Sequence, residues 1–166
     1  MNNFIEKFSE QIIRNRLASE SELIGCNESE VFALEAYFNL HLPVLYKDFL
    51  RKMGRGAGLF MQGTDFFYDR LFENRRAFEE VLELDHNPFL VDHETFVFSS
   101  HQGYIFFFFD TSEQREDPPV IGYMEGEMSV RLIDESFSQF LLTSLDEQTE
   151  GWRKVETSQG QLPQCS

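Results

Sequence analysis

The chain has 166 residues, 42% of them hydrophobic, and a formal charge of −15 from 29 acidic and 14 basic side chains. A field of that sign repels nucleic acid and anionic lipid and attracts basic partners, so nucleic acid and membrane surfaces are excluded as direct ligands. Length and composition suit one globular domain able to bury its own core without a metal or a disulfide framework.

Phe4 or Ile5, Phe8, Ile12 and Ile13 recur at three- and four-residue spacings, which predicts an amphipathic helix over residues 3–17. Residues 19–25 form a polar connector containing a glycine. A second helix is expected over residues 27–38, with Asn27 as its cap, Glu30 at the capping-box position, and Val31, Leu34 and Phe38 along one face. Pro43 is suited to the first position of a third helix, residues 43–53, which turns Tyr46, Phe49, Leu50 and Met53 inward and stops at Gly54. The glycine-rich residues 54–58 lead to an expected strand at 59–62. A helix over residues 69–83 follows, with Phe72, Phe78, Val81 and Leu82 as its buried side.

The second half has strand character. Residues 95–99 alternate around Phe96 and Phe98, and residues 99–103 suit a hairpin turn. Residues 104–109, YIFFFF, are continuously apolar, the pattern of a strand covered on both faces. A charged loop, 110–119, precedes two paired strands at 120–124 and 129–133. Asp134 is expected to cap a last helix over residues 136–145. The fold class is therefore α+β: a twisted, mostly antiparallel sheet packed against N-terminal helices and a closing C-terminal helix. Residues 1–149 are expected to form one domain and residues 150–166 a polar, disordered tail.

Catalytic patterns are weak. His41, His86, His93 and His101 do not share a ligand spacing, and Cys26 and Cys165 form no CxxC pair, so no metal is expected. Ser99, Ser100 and His101 lack the Gly-x-Ser-x-Gly elbow of a nucleophile. The GRGAG segment is followed by Leu59 and Phe60, where a phosphate cradle requires Lys and Ser or Thr. Acid pairs such as Glu79-Glu80 are common in so acidic a chain and single out no glycosidase-like site. No cofactor and no enzyme activity are expected. Residues 1–11 carry charges where a secretion signal has an apolar run, and a cytoplasmic protein is expected.

Leu34-Glu35, Phe38, Leu42-Pro43, Tyr46, Phe49-Leu50, Gly54 and Gly56 make the string LExxFxxxLPxxYxxFLxxxGxG, with Gly58 following. Together with FVFSSHQG, YIFFFFD, PPVIGY and SFSQFLL further on, it resembles the SUKH superfamily, which groups a cell-wall-assembly regulator with many bacterial toxin-immunity proteins. The likeness covers about residues 21–145. It implies an α+β fold and a protein that neutralises a cognate polymorphic toxin, of nuclease or deaminase type, by direct binding. The alternative it implies is a regulatory interaction module of the cell-wall-assembly type. The family carries no catalytic motif to transfer. Partner contacts are expected among acids and aromatics in loops: Asp65, Tyr68, Asp69, Glu113, Glu116, Asp117, Glu125 and Glu127. The partner the resemblance implies is a protein.

Overall fold

A computed structural model describes residues 3–159 of the chain. The helix α1 (Phe4–Arg14) buries Ile5, Phe8 and Ile12, and ends three residues before the expected Leu17, because Arg16 adopts a left-handed φ of 60°. In α2 (Glu28–Phe38) the predicted capping box is formed: the Glu30 N–H donates to Asn27 Oδ1, and the Asn27 N–H donates to Glu30 Oε2, both at 2.9 Å. Pro43 serves as the cap of α3 (Val44–Met53), which buries Leu45, Tyr46, Phe49, Leu50 and Met53.

The strand expected at 59–62 is not formed. Its place is taken by two-residue strands, β1 (Leu23–Ile24) and β2 (Gly56–Ala57), paired antiparallel with Leu23 opposite Ala57. Gly58 and Met61 have φ of 61° and 55°, so the chain turns here. Phe60 and Met61 are still buried, from a turn and not from a strand.

The main sheet contains β3 (Thr95–His101), β4 (Ile105–Asp110), β5 (Val120–Met124) and β6 (Arg131–Asp134), in that order and antiparallel throughout. β3 runs through His101, so the hairpin turn falls on Gln102 and Gly103, both at positive φ. As the unbroken apolar run implied, both faces of β4 are covered. Phe106 and Phe108 pack with Phe78 and Leu82 of α4 (Tyr68–Leu84) on one side. Phe107 and Phe109 join the larger core, where α3 and α5 (Phe137–Gln159) meet the opposite face and α1 packs on those two helices. The N-terminal and closing helices thus cover one face, and α4 adds a layer on the other. Of the side expected for α4, Phe78 and Leu82 are buried, whereas Phe72 and Val81 are only half-buried and Leu71 and Asn74 are inside.

Aromatic rings build the larger core. Phe98 stacks on Phe109 at a centroid distance of 4.3 Å and meets Phe137 and Phe140 edge-on at 5.6 and 5.4 Å. Tyr46 lies against Phe96, Phe109 and Phe137 at 5.3–5.5 Å. Such offset and edge contacts add to the stabilisation given by area burial.

The start of α5 differs from expectation. Ser136 Oγ accepts the Gln139 N–H at 3.1 Å, so Ser136 and not Asp134 is the cap. Its end differs too. The stretch expected to be an irregular tail from residue 150 is helical as far as Gln159, and residues 150–158 are exposed. The rest of that stretch, including Cys165, lies outside the described residues.

Candidate functional site

The residues singled out from the sequence fall into three neighbourhoods. Asp65, Tyr68 and Asp69 sit at the start of α4. The Asp65 N–H donates to the Ser100 carbonyl at 2.7 Å and its own carbonyl accepts from Asn74, so this residue stitches the loop to the edge of β3. Tyr68 is buried beneath Arg55, whose guanidinium lies 4.8 Å from the ring centroid. Arg55 also pairs with Glu30 and, at 3.2 Å, with Asp69. Asp69 itself is exposed.

Glu113, Glu116 and Asp117 belong to the loop between β4 and β5. Glu113 is exposed and pairs with Arg115. The Glu116 carbonyl accepts the Leu45 N–H at 3.0 Å, and Asp117 accepts the Ser138 N–H at 2.9 Å and the Ser138 hydroxyl at 2.5 Å. This loop straps the first turns of α3 and α5 together, and Asp117 satisfies donors that a helix start leaves open. Asp117→Ala is therefore expected to lower stability by about 1–2 kcal/mol, visible as a lower Tm in thermal unfolding. An unchanged Tm would contradict that structural role.

Glu125 and Glu127 lie on the β5–β6 hairpin. Asp85, at the end of α4, accepts the Tyr123 hydroxyl at 2.6 Å and the Gly126 N–H at 2.8 Å. The Gly126 N–H first, and then the Tyr123 hydroxyl, hold the Asp85 carboxyl below the usual carboxylate range. Burial first, and then the Asp85 carboxylate, push the Tyr123 phenol up to about 12. Glu127 pairs with Arg131 at 3.3 Å, and Glu125 is exposed.

A groove of about 580 Å³ opens beside this hairpin, between the end of the sheet and α5. Its floor is apolar: Ile105, Phe107 and Ile133 from the sheet, Phe140 from α5, and Leu59 from the turn after β2. Gln148 holds one wall by accepting the Met61 N–H at 2.8 Å. Met124 and Trp152, 36% and 40% exposed, stand at the rim. Asp134, Glu147, His101 and Arg131 supply its charged or titratable groups. Burial pushes the Asp134 carboxyl up, a shift that the Thr143 hydroxyl at 3.5 Å partly offsets.

Sequence patterning singled out none of Asp85, Asp134, Glu147 or Trp152 as functional. The lone tryptophan was the available signal, and it fell in the stretch expected to be unstructured.

Ser99 and His101 both line the groove, two residues apart on one strand, while Ser100 is buried and hydrogen-bonded through its backbone to Asp65. Among the described residues, no group of three or more His, Cys, Asp or Glu is placed to hold a metal ion. Cys26 is buried, and desolvation, reinforced by the Glu30 carboxylate, pushes its thiol up to about 12, far from the reactive thiolate range. No described helix is long and apolar enough to cross a membrane.

The family SUKH_6, described as SMI1-KNR4 cell-wall, matches residues 28–141. No curated protein matches the chain. The matched span runs from the first residue of α2 through the four-stranded sheet into α5, well over half of the sequence, and the chain belongs to the SUKH family.

Proposed function

We propose that this chain is an immunity protein: it binds a cognate toxin domain directly in the cytoplasm and blocks it, without catalysing a reaction. Membership of the SUKH family carries this reading. The net charge of −15 supports it, because a toxin acting on nucleic acid presents a basic cleft, and an acidic protein both fills such a cleft and meets it faster. The apolar and aromatic pattern shared with the family is taken up by the core, where Tyr46, Phe49 and Leu50 are fully buried. Recognition is left to the acidic exterior and the groove.

The family description as SMI1-KNR4 cell-wall favours a second reading, a regulatory module that engages several partners at moderate affinity. Co-expression separates the two. With the toxin domain encoded beside it, the chain is expected to restore growth, and salt is expected to weaken the purified complex mainly through its on-rate. Failure to protect, together with binding to several housekeeping proteins, would favour the regulatory module.

A further inference from the structure

We propose that the groove between the sheet and α5 receives a short basic segment of the partner protein, an arginine or lysine flanked by apolar side chains. This rests on the protein-binding function proposed above and assigns it a place and a chemistry. The first support is shape. A volume of about 580 Å³ is far too small for a helix laid along the surface, but falls within the range of pockets that enclose two or three side chains. Phe107, Ile133 and Phe140 give it a continuous apolar floor. Such a floor rewards the stem of a long side chain as well as its apolar neighbours.

Charge gives the second support. Arg131 is already engaged by Glu127 at 3.3 Å. Asp134 and Glu147 enter no ion pair among the described residues, although both line the groove. Asp134 is half-buried, and its one side-chain hydrogen bond, from the Thr143 hydroxyl, is long at 3.5 Å. A partly desolvated carboxylate in that position is stabilised by an arriving cation. Guanidinium suits it best, since it carries a planar set of donors and is weakly hydrated.

The rim completes the chemistry. Trp152 is an aromatic side chain within reach of a cation entering the groove, and Met124 an adaptable apolar contact. On the wall, the hydrogen bond from the Met61 N–H to Gln148 fixes the turn against α5, so the groove is formed before a ligand arrives.

Amide NMR spectra of the full chain, titrated with acetyl-Leu-Arg-Leu-amide and with its citrulline counterpart, test this. Citrulline keeps the shape and removes the charge. The expected result is a saturable set of shifts confined to Ile105, Phe107, Ile133, Thr143 and Trp152, with the citrulline peptide about tenfold weaker, a 1.4 kcal/mol difference. The double change Asp134→Asn with Glu147→Gln is expected to remove that preference while leaving Tm unchanged. Equal binding of both peptides by the wild-type chain overturns the proposal. So do shifts scattered over exposed acids such as Asp69 and Glu113, which mark simple counterion attraction. If the doubly changed chain still binds the toxin domain with wild-type affinity, the groove assignment fails and the immunity function stands. If the peptide selects arginine but no toxin is bound, the groove stands and the immunity function fails.

Discussion

Phe98→Ala is expected to cost about 3–5 kcal/mol, the range for deleting a buried aromatic ring where the surroundings cannot collapse. Phe98 is fully buried in β3, between Phe109 of the neighbouring strand and Phe137 and Phe140 of α5, with Tyr46 and Phe66 completing its surroundings. Its removal takes a ring from the point where sheet, α3 and α5 meet. Because the neighbours are themselves rigid rings, they fill the space poorly. Against a typical domain stability of about 5–15 kcal/mol, the variant is left marginal. Urea unfolding should show a much lower midpoint with the slope retained. Phe107→Ala, at a half-buried position on the groove side of β4, should cost clearly less. Equal losses at the two positions would contradict this account of the core.

Gly25→Ala is expected to be nearly as damaging, for a backbone reason. A Cβ built on Gly25 would lie 1.7 Å from the Arg51 carbonyl oxygen, and that oxygen belongs to the last turn of α3, where it cannot swing aside. The segment from β1 into α2 is laid directly on α3: the Cys26 N–H donates to the Leu50 carbonyl at 2.8 Å, and the Arg55 N–H donates to the Ile24 carbonyl at 2.8 Å. Only a residue without a side chain permits that approach. Separating the two segments breaks both hydrogen bonds and loosens the β1–β2 ladder, so a cost at or above the usual ~1–3 kcal/mol of overpacking is expected. Thermal unfolding measures it. A Tm within a degree or two of wild type would mean that the segments are not in such close contact.

Gly25 also shows where the sequence stops being informative. In the chain it is one glycine in a polar connector, and no local pattern says that a helix lies against it. Helices α1, α2 and α3 were legible because their apolar positions repeat at three and four residues and the Asn27–Glu30 box marks a start. The covered strand β4 was legible because only a strand buried on both faces tolerates four successive phenylalanines. What covers its second face was not, since nothing in the 69–83 pattern states which side of a sheet the helix will take. The expected strand at 59–62 failed because the same apolar residues can be buried from a turn, and the left-handed φ of Met61 is invisible in composition. Past Leu145 the apolar periodicity fades and Gly151, Thr149, Thr157 and Ser158 are poor helix formers, so nothing local announced that the helix runs on.

The candidate site was less legible than the fold. Of the residues expected as contacts, Tyr68 and Asp117 have side-chain ties within the molecule, a ring under Arg55 and a carboxylate on the Ser138 N–H and hydroxyl, whereas Glu116 is tied only through its backbone carbonyl and keeps its side chain exposed. Asp69, Glu113 and Glu125 remain on the exterior. The groove is assembled from the turn after β2, the sheet and α5, segments far apart in sequence, so only the three-dimensional arrangement reveals it.

Titrating a purified, neighbouring-gene toxin domain with the purified chain, while following the toxin's own catalytic rate, examines the mode of action most directly. Inhibition through binding predicts an immediate loss of rate, linear in added chain, reaching completion at one-to-one and relaxing as salt is raised. Time-dependent inactivation by a small fraction of an equivalent would reveal turnover by the chain, and would contradict a protein that works by occupying its target.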